Sequence, residues 1–449
     1  MSQFFKGIAL FIGVCCLVWV GVLWRWQATQ RDMSSTDIVL YLGLLPVVLF
    51  TLLVLGRWAF GSASARADAR AAAAAAATAA TAAGSKPTQA SGDAAARHTT
   101  VQLLTAQLYT PAGEDLNSLD AACAEGQPRP APDAELRDDD GMPVMCARAA
   151  ELPLDDTEAL WEQALQTTRA TQPEWAALEP DEAVRRAVAA LDAPLRQSLF
   201  ALMPWSVRLG LRDGKPEPRT DRQTERHDNA PMLRVLPAWP THWSEFERAV
   251  ARAVLQATAT DVLTGIAAPQ RVVWMADHLG GASSQWLAVD ALFQAMQREQ
   301  RDDLVLVTAC HCDLSAARVE QLQREQRLFT GQSQRAQMPG EAAAAVVLAG
   351  SAWPADPEAD TPPVHLHRPA VAHRDKPVDG PGKVSSAVLE TVAGHALEAA
   401  GVAAAEVATL CSDADQHTAR ATELFGAMLS LLPHLDAVED TRLAGPLLG

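Results

Sequence analysis

Several groups of residues in this 449-residue chain have types and spacings that chemistry could use. Cys310-His311-Cys312 follows an apolar run and offers two thiolates and an imidazole, donors that zinc accepts. A structural zinc site needs a fourth ligand, and no second pair stands at a recognisable spacing, so no metal is expected there. His365-x-His367 with His373 lies in a proline-rich stretch and reads as exposed loop. Gly280-Gly281-Ala282-Ser283-Ser284 is a small-residue bend ahead of a helical pattern, but it does not meet the G-x-S-x-G spacing of a serine-hydrolase elbow. Asp138-Asp139-Asp140-Gly141 begins like a calcium loop without the later ligands and reads as a turn. Trp239 and Trp243, set among Pro237 and Pro240, suit a partner-binding surface or a core cap equally well.

The elements that must position these residues alternate between strand and helix. Strands are expected at 101–108, 271–276, 304–309 and 342–348, the last three buried or rich in β-branched residues. Helices are expected at 155–166, 180–191, 245–258, 285–298, 385–400 and 420–432. Pro180-Asp181-Glu182 places acids where a helix N-terminus favours them. Alternation of this kind predicts an α/β layered fold with helices on both faces of the sheet.

Ahead of this body stand two apolar runs, 7–24 and 38–56, each long enough to span a bilayer. Trp24, Arg25 and Trp26 occupy the place where a signal peptide would carry small residues, so a transmembrane hairpin over 1–60 is expected. Lys6, Arg57, Arg66 and Arg70 flank its ends and only Arg25 and Arg31 its loop. That bias places the body in the cytoplasm. Residues 61–100 are an alanine-rich linker with no large apolar side chain after Phe60 to dock it before Val101, a tether. The net charge of −17 is uneven: residues 1–97 carry eight basic and four acidic side chains, leaving a body of −21. Phosphate backbones need clustered cations, so nucleic acid is excluded as the main partner. The seven cysteines are odd in number and scattered, which argues against a disulfide framework.

The body resembles the β-ketoacyl synthases. Leu103 to Leu116 is similar to their first strand and its P-x-G turn, and Pro339-Gly340-Glu341 through Leu348 to their "GEGAAALVL" segment. The stretches 387–402 and 408–415 are similar to the helix and strand that deliver a catalytic "HGT" loop. The resemblance implies a thiolase-like layered fold (αβαβα), with a first half at 101–352, a Pro-rich connection at 353–382 and an incomplete second half at 383–449. It also implies a catalytic cysteine at a helix N-terminus and two histidines. Ser283 stands at the cysteine position, and no cysteine lies between Cys146 and Cys310. Asp415 takes the first histidine's place, or His417 after a slide of two residues. Residues 445–449 stand where the second histidine loop would begin.

A membrane-tethered condensing-enzyme fold without its nucleophile also resembles the type VI secretion lipase adaptor family. That resemblance implies a pseudoenzyme with no cofactor that binds a lipase effector in the cytoplasm and assists its loading onto a secretion spike protein. The competing expectation is a divergent membrane-anchored acyl-transfer enzyme of the β-ketoacyl synthase kind. A structural membrane subunit is a third.

Overall fold

The structure, a computed structural model, describes residues 100–125, 129–206, 208–209, 231–263, 271–279, 282–354, 362–374, 384–414 and 417–445. All belong to one compact unit, Ser91–Gly449. The two expected spans and all but the last residue of the tether lie outside them, and no described helix is long and apolar enough to cross a membrane.

The chain enters as β1 (Val101–Tyr109), turns at Thr110–Gly113 and continues as α1 (Leu116–Glu125). Gly113 is required in that turn: its φ is +138°, and a Cβ would lie 2.8 Å from Ser118 Cβ. A hairpin follows, β2 (Ala131–Arg137) and β3 (Pro143–Cys146). Its turn is the Asp138–Gly141 segment, closed by the Gly141 amide donating to Asp138 O and the Met142 amide to Asp138 Oδ1. Then come α2 (Leu154–Thr171), α3 (Glu182–Phe200), β4 (Leu233–Trp239) and α4 (Glu245–Leu263). After β5 (Val272–Trp274) and β6 (His278–Leu279), α5 (Ala282–Arg298) leads to β7 (Leu304–Cys312), α6 (Ala316–Arg324) and β8 (Glu341–Gly350). The chain closes through β9 (Val364–Leu366), α7 (Ala387–Ala400), β10 (Leu410–Ser412), α8 (Thr418–Leu431) and β11 (Thr441–Leu443).

The main sheet has seven strands in the order β5-β4-β7-β8-β1-β9, with β6 also on β4. Strands β4, β5 and β7 are mutually parallel, and β8 runs antiparallel to both β7 and β1. The chain directions of β1, β4, β5 and β7 therefore agree, and their carboxyl ends share one edge with the first residue of β8. Alternation along β7 sends Leu304, Leu306, Cys310 and Cys312 to one face, under α3 and α4, and Val305 and Val307 to the other, under α5. Helix α3 lies between the sheet and α4, so it buries residues around much of its circumference, Ala187, Leu191 and Leu195 among them. Asp181 caps it by accepting the Ala183 amide at 2.8 Å.

The layered α/β architecture agrees with expectation, with differences that have physical causes. The strand expected at 271–276 is three residues long and only half-buried, because β5 is the edge of the sheet. Helix α3 continues past Asp192 to Phe200 through Pro194, since burial of Leu195 and Leu199 outweighs the lost backbone hydrogen bond. Of a second sheet, the described residues contain the two short parallel strands β10 and β11, flanked by α7 and α8. Trp239 and Trp243 are core: they stack at 5.5 Å and are 2% and 3% exposed.

Candidate functional site

In open α/β sheets the carboxyl ends of the strands are where ligands bind, because loops converge there without helices covering them. Here that edge gathers Tyr109, Trp239, Cys312 and Glu341. At its centre Glu341, fully buried, takes both arms of the Arg186 guanidinium at 2.7 and 2.9 Å. The Ala149 amide donates to Glu341 Oε1 at 2.8 Å, and Cys312 Sγ lies 3.6 Å from Oε2. The Tyr109 hydroxyl donates to the Glu151 carbonyl; burial, with Glu114 and Glu341 nearby, pushes the phenol up to about 12.

Asp313 forms a second knot just past β7. It accepts from Arg318 Nε at 2.6 Å, Gln337 Nε2 at 2.7 Å and His311 Nε2 at 3.1 Å. Burial alone would raise its carboxyl, but His311 and Arg318 hold it well below the usual carboxylate range. The His311 ring meets His242 edge-on at 6.1 Å, and burial beside Arg318 lowers His242. Alternation puts Cys310 and Cys312 on one face of β7 and His311 on the other, so the triplet cannot converge on one ion. Burial pushes both thiols up, which leaves them protonated and unreactive.

The bend ahead of α5 is closed differently. Asp277 accepts from Trp239 Nε1 at 2.9 Å and from Arg252, whose guanidinium also reaches the Met275 carbonyl. His278 Nε2 lies 3.2 Å from Ser284 Oγ in the first turn of α5. Sequence spacing singled out Ser283, which falls in that same turn with its side chain outside the described residues. The His278–Ser284 contact had no sequence signal beyond the six-residue separation of two common residues. Asp415 lies outside the described residues. His417 is buried at the N-terminus of α8, where its Nδ1 accepts the Ala419 amide at 3.2 Å, so its ring caps a helix. His365 and His367 are exposed as expected, but His365 lies in the edge strand β9, paired with Gln102 of β1, rather than in a loop.

A pocket of about 140 Å³ adjoins the Glu341 knot, between the hairpin β2–β3 and the turn after β1. Asp133 at its base accepts from Arg148 Nε at 2.6 Å, the Glu135 and Leu136 amides at 2.8 and 2.9 Å, and the Cys146 thiol at 3.1 Å. Burial opposes its ionisation, but these four donors hold the carboxyl well below its usual range. Burial and Asp133 push the Cys146 thiol up to about 12. The sequence carried little signal for this pocket: its residues are spread over 111–148 and only Pro111, in the P-x-G turn, belongs to a motif.

The fold and site together define a mixed α/β protein whose strand ends are closed by buried ion pairs. No protein-family profile matches the sequence, and no curated protein matches it. Solved structures similar to it are ketosynthases. The ishigamide ketosynthase/chain length factor is 17% identical, with 77% of this chain and 88% of that chain covered and a TM-score of 0.43. A ketosynthase from module 1 of the bacillaene synthase from Bacillus amyloliquefaciens FZB42 is 14% identical, covering 75% of this chain and 58% of that one at 0.41. A ketosynthase in complex with its chain length factor, from Xenorhabdus doucetiae, is also 14% identical, covering 74% and 76% at 0.40.

Proposed function

We propose that this chain is a non-catalytic, thiolase-like protein-binding body: an adaptor that holds a lipase effector in the cytoplasm for type VI secretion while its N-terminal hairpin anchors it at the inner membrane. The observation that carries the non-catalytic part is the state of the thiols at the strand ends. Cys146, Cys310 and Cys312 are buried and their thiols are raised, the reverse of the electropositive, partly exposed setting a nucleophilic cysteine needs. Glu341 there is fixed by Arg186, and Asp313, held well below the usual carboxylate range by His311 and Arg318, is unsuited to exchanging protons near neutral pH. Protein binding is favoured by an acidic body and by the apolar side chains Leu279 at the end of β6 and Trp286 and Leu287 near the start of α5, 38–46% exposed. Affinity purification from the native cell tests this: recovery of a lipase-like effector or a spike component is the expected result. Recovery of acyl carrier protein alone would overturn it.

One observation favours the second reading, a divergent acyl-transfer enzyme. Ser284 Oγ sits within hydrogen-bonding distance of an imidazole at a helix N-terminus, an arrangement that can activate a serine. No carboxylate among the described residues holds the other nitrogen of His278, and the adjacent Asp277 is engaged by Trp239 and Arg252. Incubation with an acyl thioester followed by mass spectrometry separates the two: an adduct on Ser284 or Ser283, lost in His278→Ala, supports the enzyme.

A further inference from the structure

Arg148 and Asp133 line the pocket beside the hairpin, in a chain that is otherwise strongly acidic. Asp133 has its acceptor capacity filled by Arg148, two amides and a thiol, so it fixes the guanidinium by one nitrogen and takes no ligand itself. Arg148 uses only Nε in that contact, and its two terminal nitrogens make no hydrogen bond to the described residues. The Arg148 side chain is 28% exposed and lines the pocket, so those nitrogens, four N–H donors in all, can meet a ligand there. We infer that this pocket is a binding site for a small oxyanion, a phosphoryl or carboxylate group, gripped by the terminal nitrogens of Arg148.

The geometry supports this in three ways. A guanidinium fork matches the two oxygens of such a group, and an arginine already anchored through Nε loses little freedom on binding. A volume of about 140 Å³ holds a headgroup of a few heavy atoms, where whole small-molecule ligands take roughly 300 Å³ or more. Pro111 and Pro132 give the wall a rigid apolar side, which limits water around the ion pair. The site lies at the carboxyl end of β1, the edge at which α/β sheets bind ligands. It stands apart from the adaptor proposal and holds or fails without it.

Calorimetric titration of the purified full-length chain with inorganic phosphate, and separately with acetate, at an ionic strength fixed by chloride, tests the inference. Saturable binding of one equivalent is expected for at least one of the two, and which one identifies the group. Arg148→Lys keeps the charge but loses the fork and is expected to weaken binding about ten-fold. Arg148→Gln is expected to abolish it. Should Arg148→Gln fail to fold, because Asp133 is then buried without its cation, Arg148→Lys decides. Absence of saturable binding by either anion beyond chloride overturns the inference. Binding unchanged in a folded Arg148 variant overturns it equally.

Discussion

The face of the sheet under α3 and α4 and the face under α5 are buried by very different amounts of protein. Among the described residues, 44 buried apolar side chains cluster on the first face and seven on the second. Three helices, α2, α3 and α4, pack against one another over the first face, whereas the second carries α5, with Trp286 and Leu287 turned to solvent. Every buried carboxylate of the strand-end knots also pairs with an arginine: Glu341 with Arg186, Asp313 with Arg318 and Asp133 with Arg148. The lesson is a division of labour. One face holds most of the buried apolar side chains among the described residues, and the other is the face proposed to meet a partner.

If that division is right, the largest loss of stability comes from the knot under the thick face. Arg186→Met strands Glu341 as an unpaired buried charge and is expected to cost about 3–5 kcal/mol in urea unfolding. A cost under about 1 kcal/mol would show that the knot does not anchor the face. Next comes Leu195→Ala in the middle of α3, expected to cost about 3–4 kcal/mol, since a fully buried leucine leaves a cavity that its neighbours cannot close. Trp286→Ala on the thin face is expected to change stability by less than about 0.5 kcal/mol while weakening capture of the partner protein. A large destabilisation there would remove the distinction between the faces.

Two milder measurements sharpen the same contrast. The Asp133, Asp303 and Asp313 carboxyls are all lower in the folded chain than in the unfolded one, despite burial, because their arginine partners favour the charged form. Their stabilisation is present above the unfolded value of about 4 and is lost as pH falls below it. Tyr109 behaves oppositely: raised to about 12 by burial, it contributes stability below the unfolded value near 10 that is lost as pH rises towards 12. Urea midpoints against pH should therefore fall at both extremes, the acid-side fall beginning already below the ordinary histidine value because burial lowers His242. In native alkylation the exposed Cys411 is expected to react first, with Cys146, Cys310 and Cys312 protected until the chain unfolds.

Much of the fold was legible because burial leaves a period in the sequence. The helix at 285–298 and the strands at 304–309 and 342–348 were found within a few residues of their ends. The central strand β4 was not, because Pro237 sits inside it and a proline ordinarily marks an edge or a break. The helices α1 and α6 were missed as well, being short and without a long apolar stripe. Of the candidate site, Ser283 was read in a bend and lies within α5, and the Cys310–Cys312 triplet was read just past a strand and forms its last residues, while Arg186, Arg148 and Asp133 had no sequence signal at all. Arginine and aspartate are common surface residues, and nothing local distinguishes a buried pair from two solvated ones.

Local pattern by itself determined the alternation of strands and helices, the turn at Asp138–Gly141, the cap at Asp181 and the absence of a cysteine at the α5 bend, because each depends on residues within a turn or two of one another. Tertiary structure alone decided that Trp239 and Trp243 are core, that Cys310 and His311 face opposite sides of β7, and that Glu341 meets Arg186 across 155 positions of chain. Such pairs are selected by the low dielectric and exclusion of water that exist only once the layers have packed.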